Sequence, residues 1–340
     1  MKLRSLLSLL LIIILCLSVV ACKGKTDSSE VPEDTAVATE KATEESKTPT
    51  NEVQGEGSTP LLYKVSDQNG NVLWLFGSIH VGIESFYPLP SYVEEAFESS
   101  DAVAAEIDIL SFEKDLQLQT QAITALIYND GSTISDHISE DLYNRGVEIL
   151  KEYDSYSQFL DYYCPVLWSS MIDTFLIEEL GGNPDLGIDR HILVKADECG
   201  KEIREVESAA FQYQLMADYS PELQKILLEQ SIEMYNDKKT AKKDLDKMLS
   251  LWASGDATAF AEYLKSSDTE SFTDEETLLY EEYNKAMITD RNISMTDYAE
   301  EALLSGDEVF ICVGAAHIVG EGAMADLLTE RGYTVECITE

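Results

Sequence analysis

The octapeptide LFGSIHVG, residues 75–82, places a histidine three positions after a glycine, at the end of an apolar run. The same Gly-x-x-His step returns near the other end of the chain in VGAAHIVG, residues 313–320. The chain of 340 residues contains only four histidines, so two of them occupy nearly the same setting. A loop held by a rigid strand is a common position for a binding group. We therefore predict that the fold brings His80 and His317 together.

The pattern of apolar residues predicts an α/β domain. Residues 61–80 favour a β-hairpin, because two apolar runs flank Asn-Gly, the strongest short turn signal. Further strands are expected before Glu106, up to Glu207 and over DEVFICVGAAH, and the last one over YTVECIT. Helices are expected after Pro90, over 111–180, 188–199 and 209–304, and between the last two strands, where the order predicts a right-handed parallel unit. We thus expect a mixed sheet, with strands at both ends of the domain and a large helical insertion or cap.

Four chemically capable side chains follow the carboxyl ends of predicted strands: His80, Glu106, Glu207 and His317. In open α/β sheets, ligands bind in the crevice outside these strand ends. Two imidazoles and a carboxylate form the ligand set of many zinc, manganese or iron sites. Glu106 follows apolar and small residues, and a buried carboxylate needs a cation, a metal or a proton. For each histidine alone, a hydrogen-bonded residue at a strand end is the simpler interpretation; the pair favours a site.

Other polar residues give weaker signals. Asp189 and Glu207 belong to a chain rich in acids, where a solvated surface position is the default. His137 and His191 lack the Gly-x-x-His context, and we interpret both as structural or surface residues. The sequence contains no His-Glu-x-x-His, no Gly-x-Ser-x-Gly and no Walker loop.

The amino-terminal part is typical of an exported lipoprotein. Two basic residues, an apolar stretch and VVAC resemble a bacterial signal with a lipobox, so we expect residues 1–21 to be removed and Cys22 to be lipid-modified. An ordinary signal peptide or an uncleaved anchor is the alternative. Residues 22–59 are rich in Glu, Ser, Thr and Lys and predict a disordered tether. The protein would then face the extracytoplasmic side of a bacterial cell membrane.

Charge and cysteine content exclude two classes of function. The formal net charge of −40 repels nucleic acid. No Cys-x-x-Cys pair occurs, which argues against a cysteine zinc site. After Cys22, the remaining cysteines are Cys164, Cys199, Cys312 and Cys337, which allow three complete pairings or stay as free thiols.

The sequence from about 60 to 340 resembles the TraB/GumN family, which includes Tiki-type proteins. The resemblance rests on LFGSIHVGIESFYPLP, DAVAAEIDI, LGIDRHILVKADECGKEIREVES, DRNISMTDYAEEAL and VFICVGAAHIVGEGAMADLLTERGYTV, in this order. The family's Gly-x-x-His blocks match His80 and His317, its early acid matches Glu106, and its basic position matches Arg291, followed by Asn292. The resemblance implies a fold related to the erythromycin-esterase and ChaN-like proteins. It also implies metal-dependent peptide hydrolysis, as attributed to the Tiki branch, and links bacterial members to the shutdown of peptide pheromones.

Together these patterns predict a lipid-anchored hydrolase that acts on peptides with a divalent metal ion, such as Mn, Co, Zn or Fe. His80, Glu106 and His317 would hold the metal, which would activate a water molecule. Glu207 is the weaker candidate for general base or for support of a metal ligand. Arg291 would stabilise an oxyanion or bind a substrate carboxylate. The rival hypothesis is a non-catalytic lipoprotein that sequesters a peptide or a haem-like ligand in the same crevice.

Overall fold

A computed structural model describes residues 58–265 and 272–339. Its centre is a six-stranded mixed sheet in the order β4-β3-β5-β2-β1-β6. The strands are β1 (Leu62–Ser66), β2 (Val72–Ser78), β3 (Ala102–Ala105), β4 (Glu202–Glu205), β5 (Val309–Gly314) and β6 (Thr334–Ile338). Strands β2, β3, β4 and β5 run parallel, whereas β1 pairs antiparallel with both β2 and β6. The expected α/β class with a mixed sheet is therefore confirmed.

The first hairpin forms where the sequence predicts it. Asp67 uses one carboxylate oxygen to accept hydrogen bonds from the backbone N–H groups of Asn69 and Asn71. Gly70 has φ of +89°, a conformation that favours glycine. These turn contacts place Leu62 opposite Phe76 and fix the register of the two strands.

Helices occupy most of the chain between the strands. They are Ser91–Ser99, Ile109–Lys114, Leu116–Thr124, Glu140–Glu152, Pro165–Glu179, Ile188–Cys199, Ala209–Ala217, Pro221–Asn236, Lys238–Ser254, Ala257–Lys265, Asp274–Asn284, Asp290–Ser305, Ala315–Ile318 and Met324–Glu330. A π-helical turn, Lys285–Thr289, joins the helices on either side of it. The helices between β3 and β5 form the predicted large helical insertion. None of the helices in the described ranges is both long and apolar enough to cross a membrane.

The core lies on both faces of the sheet. Strand β5 is buried at every position, as expected for a central parallel strand covered on both sides. Trp168 and Trp252 are the largest fully buried side chains of the helical part. Trp252 also donates a hydrogen bond of 2.8 Å to the carbonyl of Gly77, which ties the insertion to the end of β2.

Three details differ from the sequence-based expectations or complete them. Strand β6 runs in the same direction as β5 but pairs with β1, so the last strand–helix–strand unit spans two intervening strands. Ser58 is buried and donates to the carbonyl of Phe86, so contacts with the domain begin before residue 60. The four cysteines of the domain, which the sequence allows either to pair or to stay free, are free thiols. Cys164 and Cys312 are buried, whereas Cys199 and Cys337 are exposed.

Candidate functional site

The carboxyl ends of the parallel strands carry the four side chains that the sequence singled out. His80 follows β2 by two residues, Glu106 follows β3 directly, and Glu207 follows β4 by two residues. His317 lies three residues beyond β5, in the helical turn Ala315–Ile318 rather than in the predicted strand. Because β5 lies between β3 and β2, the sheet order brings the two Gly-x-x-His steps to neighbouring strands. The structure thus gathers the candidates at one edge of the sheet.

His80 is oriented by a carboxylate from another element. Its Nδ1 lies 2.7 Å from Oδ2 of Asp189, in the first turn of the helix Ile188–Cys199. The helix is fixed to the loop of His80 because the N–H of Ile188 donates to the carbonyl of Ile79. A Cβ at Gly187 would come within 2.7 Å of the carbonyl oxygen of His80, so glycine permits this close approach. The other carboxylate oxygen of Asp189 is buried and has no hydrogen-bond partner among the described residues.

His317 is oriented by an amide instead of a carboxylate. Its Nδ1 lies 2.7 Å from Oδ1 of Asn292, on the helix Asp290–Ser305. An amide oxygen can only accept, so Nδ1 carries the proton and Nε2 keeps its lone pair. Asn292 in turn donates to the carbonyl of Gly322, which fixes the orientation of its amide. Both histidines therefore use Nδ1 for a protein partner. Neither Nε2 forms a hydrogen bond with another described residue, so this nitrogen is left for other chemistry.

The glycines of both Gly-x-x-His steps allow close packing. A Cβ at Gly77 would lie 3.1 Å from the Cβ of Ala315, and one at Gly314 would lie 3.2 Å from Oε1 of Glu106. The same added Cβ at Gly314 would lie 3.6 Å from the ring of His317. Neither glycine has a positive φ, so space, not backbone conformation, explains why glycine stands here.

A buried network of charges lies beside the histidines. Arg291 donates to Oε2 of Glu106 at 2.6 Å and to both oxygens of Glu207, with a shortest distance of 2.7 Å. Gln212 donates to both carboxylates as well. The N–H of Gly314 donates to Oε1 of Glu106 at 2.8 Å. Two carboxylates and one guanidinium carry a net local charge of about −1. A protonated imidazole nearby brings this charge closer to zero.

Burial and these partners shift the pKa values in opposite directions. Burial would raise the pKa of Glu106, but Arg291 and then the two histidines outweigh it and hold this pKa well below its ordinary value. Burial also disfavours a charged His80, yet Asp189 raises the pKa of this imidazole to about 9. For His317, burial and the guanidinium of Arg291 act together and lower the pKa to about 3. The site thus holds one cationic and one neutral imidazole at neutral pH.

The two imidazoles have the partners expected of metal ligands, but the described residues do not form a complete set of ligands around one point. Histidines that bind metals typically place the second ring nitrogen on a carboxylate or carbonyl oxygen, as His80 and His317 do. Glu106, the predicted third ligand, is engaged by Arg291, Gln212 and Gly314. Within the described ranges, no three His, Cys, Asp or Glu side chains are grouped so that they could hold a metal ion. The metal therefore stays a prediction.

The remaining histidines have other contacts. His137 stacks on the ring of Tyr128, with centroids 4.1 Å apart, and its Nε2 lies 2.7 Å from the hydroxyl of Ser132. His191 packs against the ring of Tyr87 at 4.5 Å. These contacts are of the structural kind that the sequence suggested for both.

Sequence reasoning underrated two residues of the site and missed a third. The abundance of acids in the chain makes Asp189 a weak candidate for the site from sequence alone. It nevertheless lies in the block LGIDRH, on which the family resemblance partly rests. Asn292 stands out in the sequence only as the neighbour of Arg291, and nothing local marks it as the partner of His317. Gln212 gives no signal in the sequence, because the helix Ala209–Ala217 carries a second glutamine, Gln214, and nothing local distinguishes the two.

One comparison with known proteins identifies the family of the chain. A family model described as the TraB/PrgY/gumN family matches residues 61–337, which is most of the chain. Because this match covers more than half of the chain, the protein is a member of the TraB/PrgY/gumN family. A search of curated proteins and a search of solved structures each gave no match.

Proposed function

We propose that this protein is an exported, lipid-anchored hydrolase that cleaves peptides with the help of a divalent metal ion. The observation that carries the proposal is the pair of imidazoles at the ends of neighbouring strands. Each ring is fixed through Nδ1, by Asp189 or by Asn292, so Nε2 remains for a metal or a substrate. Such oxygen partners orient the imidazole and raise its basicity as a ligand.

His80 and His317 would hold the metal, and Glu106 is the carboxylate that the sequence predicts as the third ligand. When bound, such a metal would polarise the scissile carbonyl and lower the pKa of a bound water molecule. His80 would have to release the proton on Nε2 to serve as a ligand. Metal binding should therefore become more favourable as the pH rises. His317 is already neutral and needs no such step.

Arg291 and Glu207 would act as a positioned pair. Arg291 is 2% exposed and holds two carboxylates at once, so its guanidinium is fixed in place. A fixed positive charge in a water-poor site stabilises negative charge that develops on a carbonyl oxygen. Glu207 is bound to Arg291 through both oxygens, which suits orientation of the guanidinium better than proton transfer.

The cellular setting is proposed from the sequence alone. Cys22, the signal over residues 1–21 and nearly all of the tether lie outside the described residues. Lipidation at Cys22 would hold the domain at the extracytoplasmic face of a bacterial membrane, and the tether would span ~35 Å on average as a flexible coil. Peptides outside the cytoplasm would then be the available substrates.

Turnover of a peptide library tests the proposal directly. The purified protein, loaded separately with Mn²⁺, Co²⁺, Zn²⁺ or Fe²⁺, should cleave peptides, and His317→Ala should abolish cleavage. His137→Ala is the matched control and should retain activity, because His137 stacks on Tyr128. Peptide binding without cleavage in every metal would instead support a non-catalytic lipoprotein that sequesters its ligand.

A further inference from the structure

One helix of the insertion carries an excess of positive charge in an otherwise acidic protein. The helix Lys238–Ser254, KKTAKKDLDKMLSLWAS, contains five lysines and two aspartates, which is a local charge of +3. The whole chain has a formal net charge of −40. Exposed charges are largely screened beyond about 8 Å at physiological ionic strength, so acids on distant parts of the surface do little to cancel this local excess.

Three of these lysines lie along the outer face of the helix. Lys239, Lys243 and Lys247 are all exposed, and residues four positions apart in a helix share one face. We call these three residues the lysine stripe, and it extends about 12 Å along the helix axis. The buried residues on the opposite side of the helix are Ala241, Leu245, Met248, Leu249 and Trp252.

Neighbouring acids do not neutralise the lysine stripe. The other two lysines of the helix have carboxylate partners: Nζ of Lys238 lies 2.6 Å from Oε1 of Glu179. Lys242 pairs with Asp246, one turn further along. Among the described residues, no carboxylate forms an ion pair with a lysine of the stripe. The stripe therefore presents its positive charge to whatever lies outside the protein.

The expected tether joins the domain at the end of the same helix. The backbone N–H of Thr59 donates to the carbonyl of Ala253 at 2.8 Å, and the hydroxyl of Thr59 donates to the same oxygen. Gly255 permits this approach: it has φ of +63°, and a Cβ there would lie 2.0 Å from the carbonyl oxygen of Thr59. The chain that comes from Cys22 thus meets the domain about 9 Å beyond Lys247, measured along the helix axis.

We propose that the lysine stripe is a docking surface for the anionic lipid headgroups of the membrane that holds the tether. Each lysine near an anionic bilayer strengthens binding about fivefold. Three lysines bind weakly by themselves, but a tether makes the contact intramolecular, at an effective concentration on the order of millimolar. A membrane is favoured over a free acidic protein because the tether enters the domain beside the stripe. Tethering through Cys22 rests on the proposed function, whereas the affinity of the stripe for anionic headgroups does not.

Co-sedimentation with vesicles tests the stripe independently of the lipid anchor. The chain from residue 22 onward, produced without its signal and therefore without lipid, is mixed with vesicles of phosphatidylcholine alone or with about half phosphatidylglycerol. At low salt it should bind only the anionic vesicles, and about 0.5 M salt should release it, because salt screens exposed charges. Lys239→Gln/Lys243→Gln should weaken binding about tenfold or more. Lys247 is left in place because it also packs over the ring of Tyr263.

The matched control is Lys114→Gln/Lys151→Gln, which removes the same charge from two exposed lysines of other helices and should bind the anionic vesicles as the unaltered chain does. Equal binding by Lys239→Gln/Lys243→Gln and the unaltered chain would overturn the proposal, as would equal binding to neutral vesicles. No binding to anionic vesicles, with retention on immobilised polyglutamate, would reassign the stripe to an acidic protein partner. A chain that binds anionic vesicles but is not lipidated in cells would refute the anchor and leave the stripe intact.

Discussion

At the scale of single residues, the two histidines differ in the partner that each one has. His80 has an anionic carboxylate and His317 a neutral amide, and their pKa values move to about 9 and about 3. Widely separated pKa values in one site are typical of groups with different chemical tasks. The sequence predicted that both residues belong to the site, but it could not assign the partners. Asp189 and Asn292 come from distant helices, and only the packing of these helices on the sheet brings them to the imidazoles.

Replacing Asp189 should change the protonation of His80. In Asp189→Asn the charge that raises the pKa is gone, burial dominates, and we expect the pKa of His80 to fall from about 9 towards or below 6.5. NMR titration of the imidazole resonances measures this value. Asp185→Asn, an exposed acid of the same segment, is the control and should leave the titration unchanged. A midpoint near 9 in Asp189→Asn would show that Asp189 is not the cause.

The same shift has a consequence for stability. Between pH 6.5 and about 9 the folded protein keeps a proton on His80 that the unfolded chain releases. The stabilisation by the His80–Asp189 pair is therefore complete below pH 6.5 and is lost as the pH rises to about 9.

At the scale of helices and strands, local signals in the sequence predicted where elements form better than they predicted which strands pair. The Asn-Gly turn predicted the first hairpin, and Gly200, with φ of +71°, ends the helix Ile188–Cys199 as the sequence indicated. The predicted strand over DEVFICVGAAH ends earlier, at Gly314, because the last residues form the helical turn that carries His317. The pairing of β6 with β1 joins residues more than 260 positions apart, and no local pattern encodes it.

The helix Pro165–Glu179 carries a pH-dependent cost through Asp173. The pKa of Asp173 is raised by burial to about 7, so the unfolded chain releases this proton at lower pH than the folded protein. The free energy of unfolding should therefore fall as pH rises from about 4 to about 7, by an amount on the order of 4 kcal/mol. Asp173→Asn should remove this part of the pH dependence and be the more stable protein at pH 8.

Urea unfolding of both proteins at pH 5 and pH 8 measures the difference. The exposed replacement Glu98→Gln serves as the control and should follow the unaltered protein at both pH values. Parallel pH profiles for Asp173→Asn and the unaltered protein would contradict the assignment of the cost to this carboxyl group.

At the scale of the whole molecule, the sheet brings the candidate residues to one edge. The family match covers residues 61–337, and four parallel strands bring their carboxyl ends to the same edge. The sequence predicted this convergence because strand ends can be located from apolar runs and glycines. The order of strands decided which side chains touch: Glu106 and Glu207 share Arg291 because β3 and β4 are neighbours.

The amino-terminal signal makes a separate prediction for the intact protein. Cys22→Ser should prevent lipid attachment, so the protein should leave the membrane fraction or accumulate as an unprocessed precursor. Cell fractionation and mass spectrometry of the purified protein measure this. Cys199→Ser, an exposed thiol of the domain, is the control and should behave as the unaltered protein. An unchanged mass and unchanged fractionation in Cys22→Ser would contradict lipid anchoring.

The most direct test of the central claim, that His80 and His317 share one metal ion, is the metal content of the purified protein after loading and dialysis. We expect about one equivalent of a divalent metal in the unaltered protein, in His137→Ala and in His191→Ala. His80→Ala and His317→Ala should each retain little or none, while circular dichroism shows that both are folded. Retention of the metal in His80→Ala and His317→Ala, or no binding of Mn²⁺, Co²⁺, Zn²⁺ or Fe²⁺ by the unaltered protein, would contradict the claim.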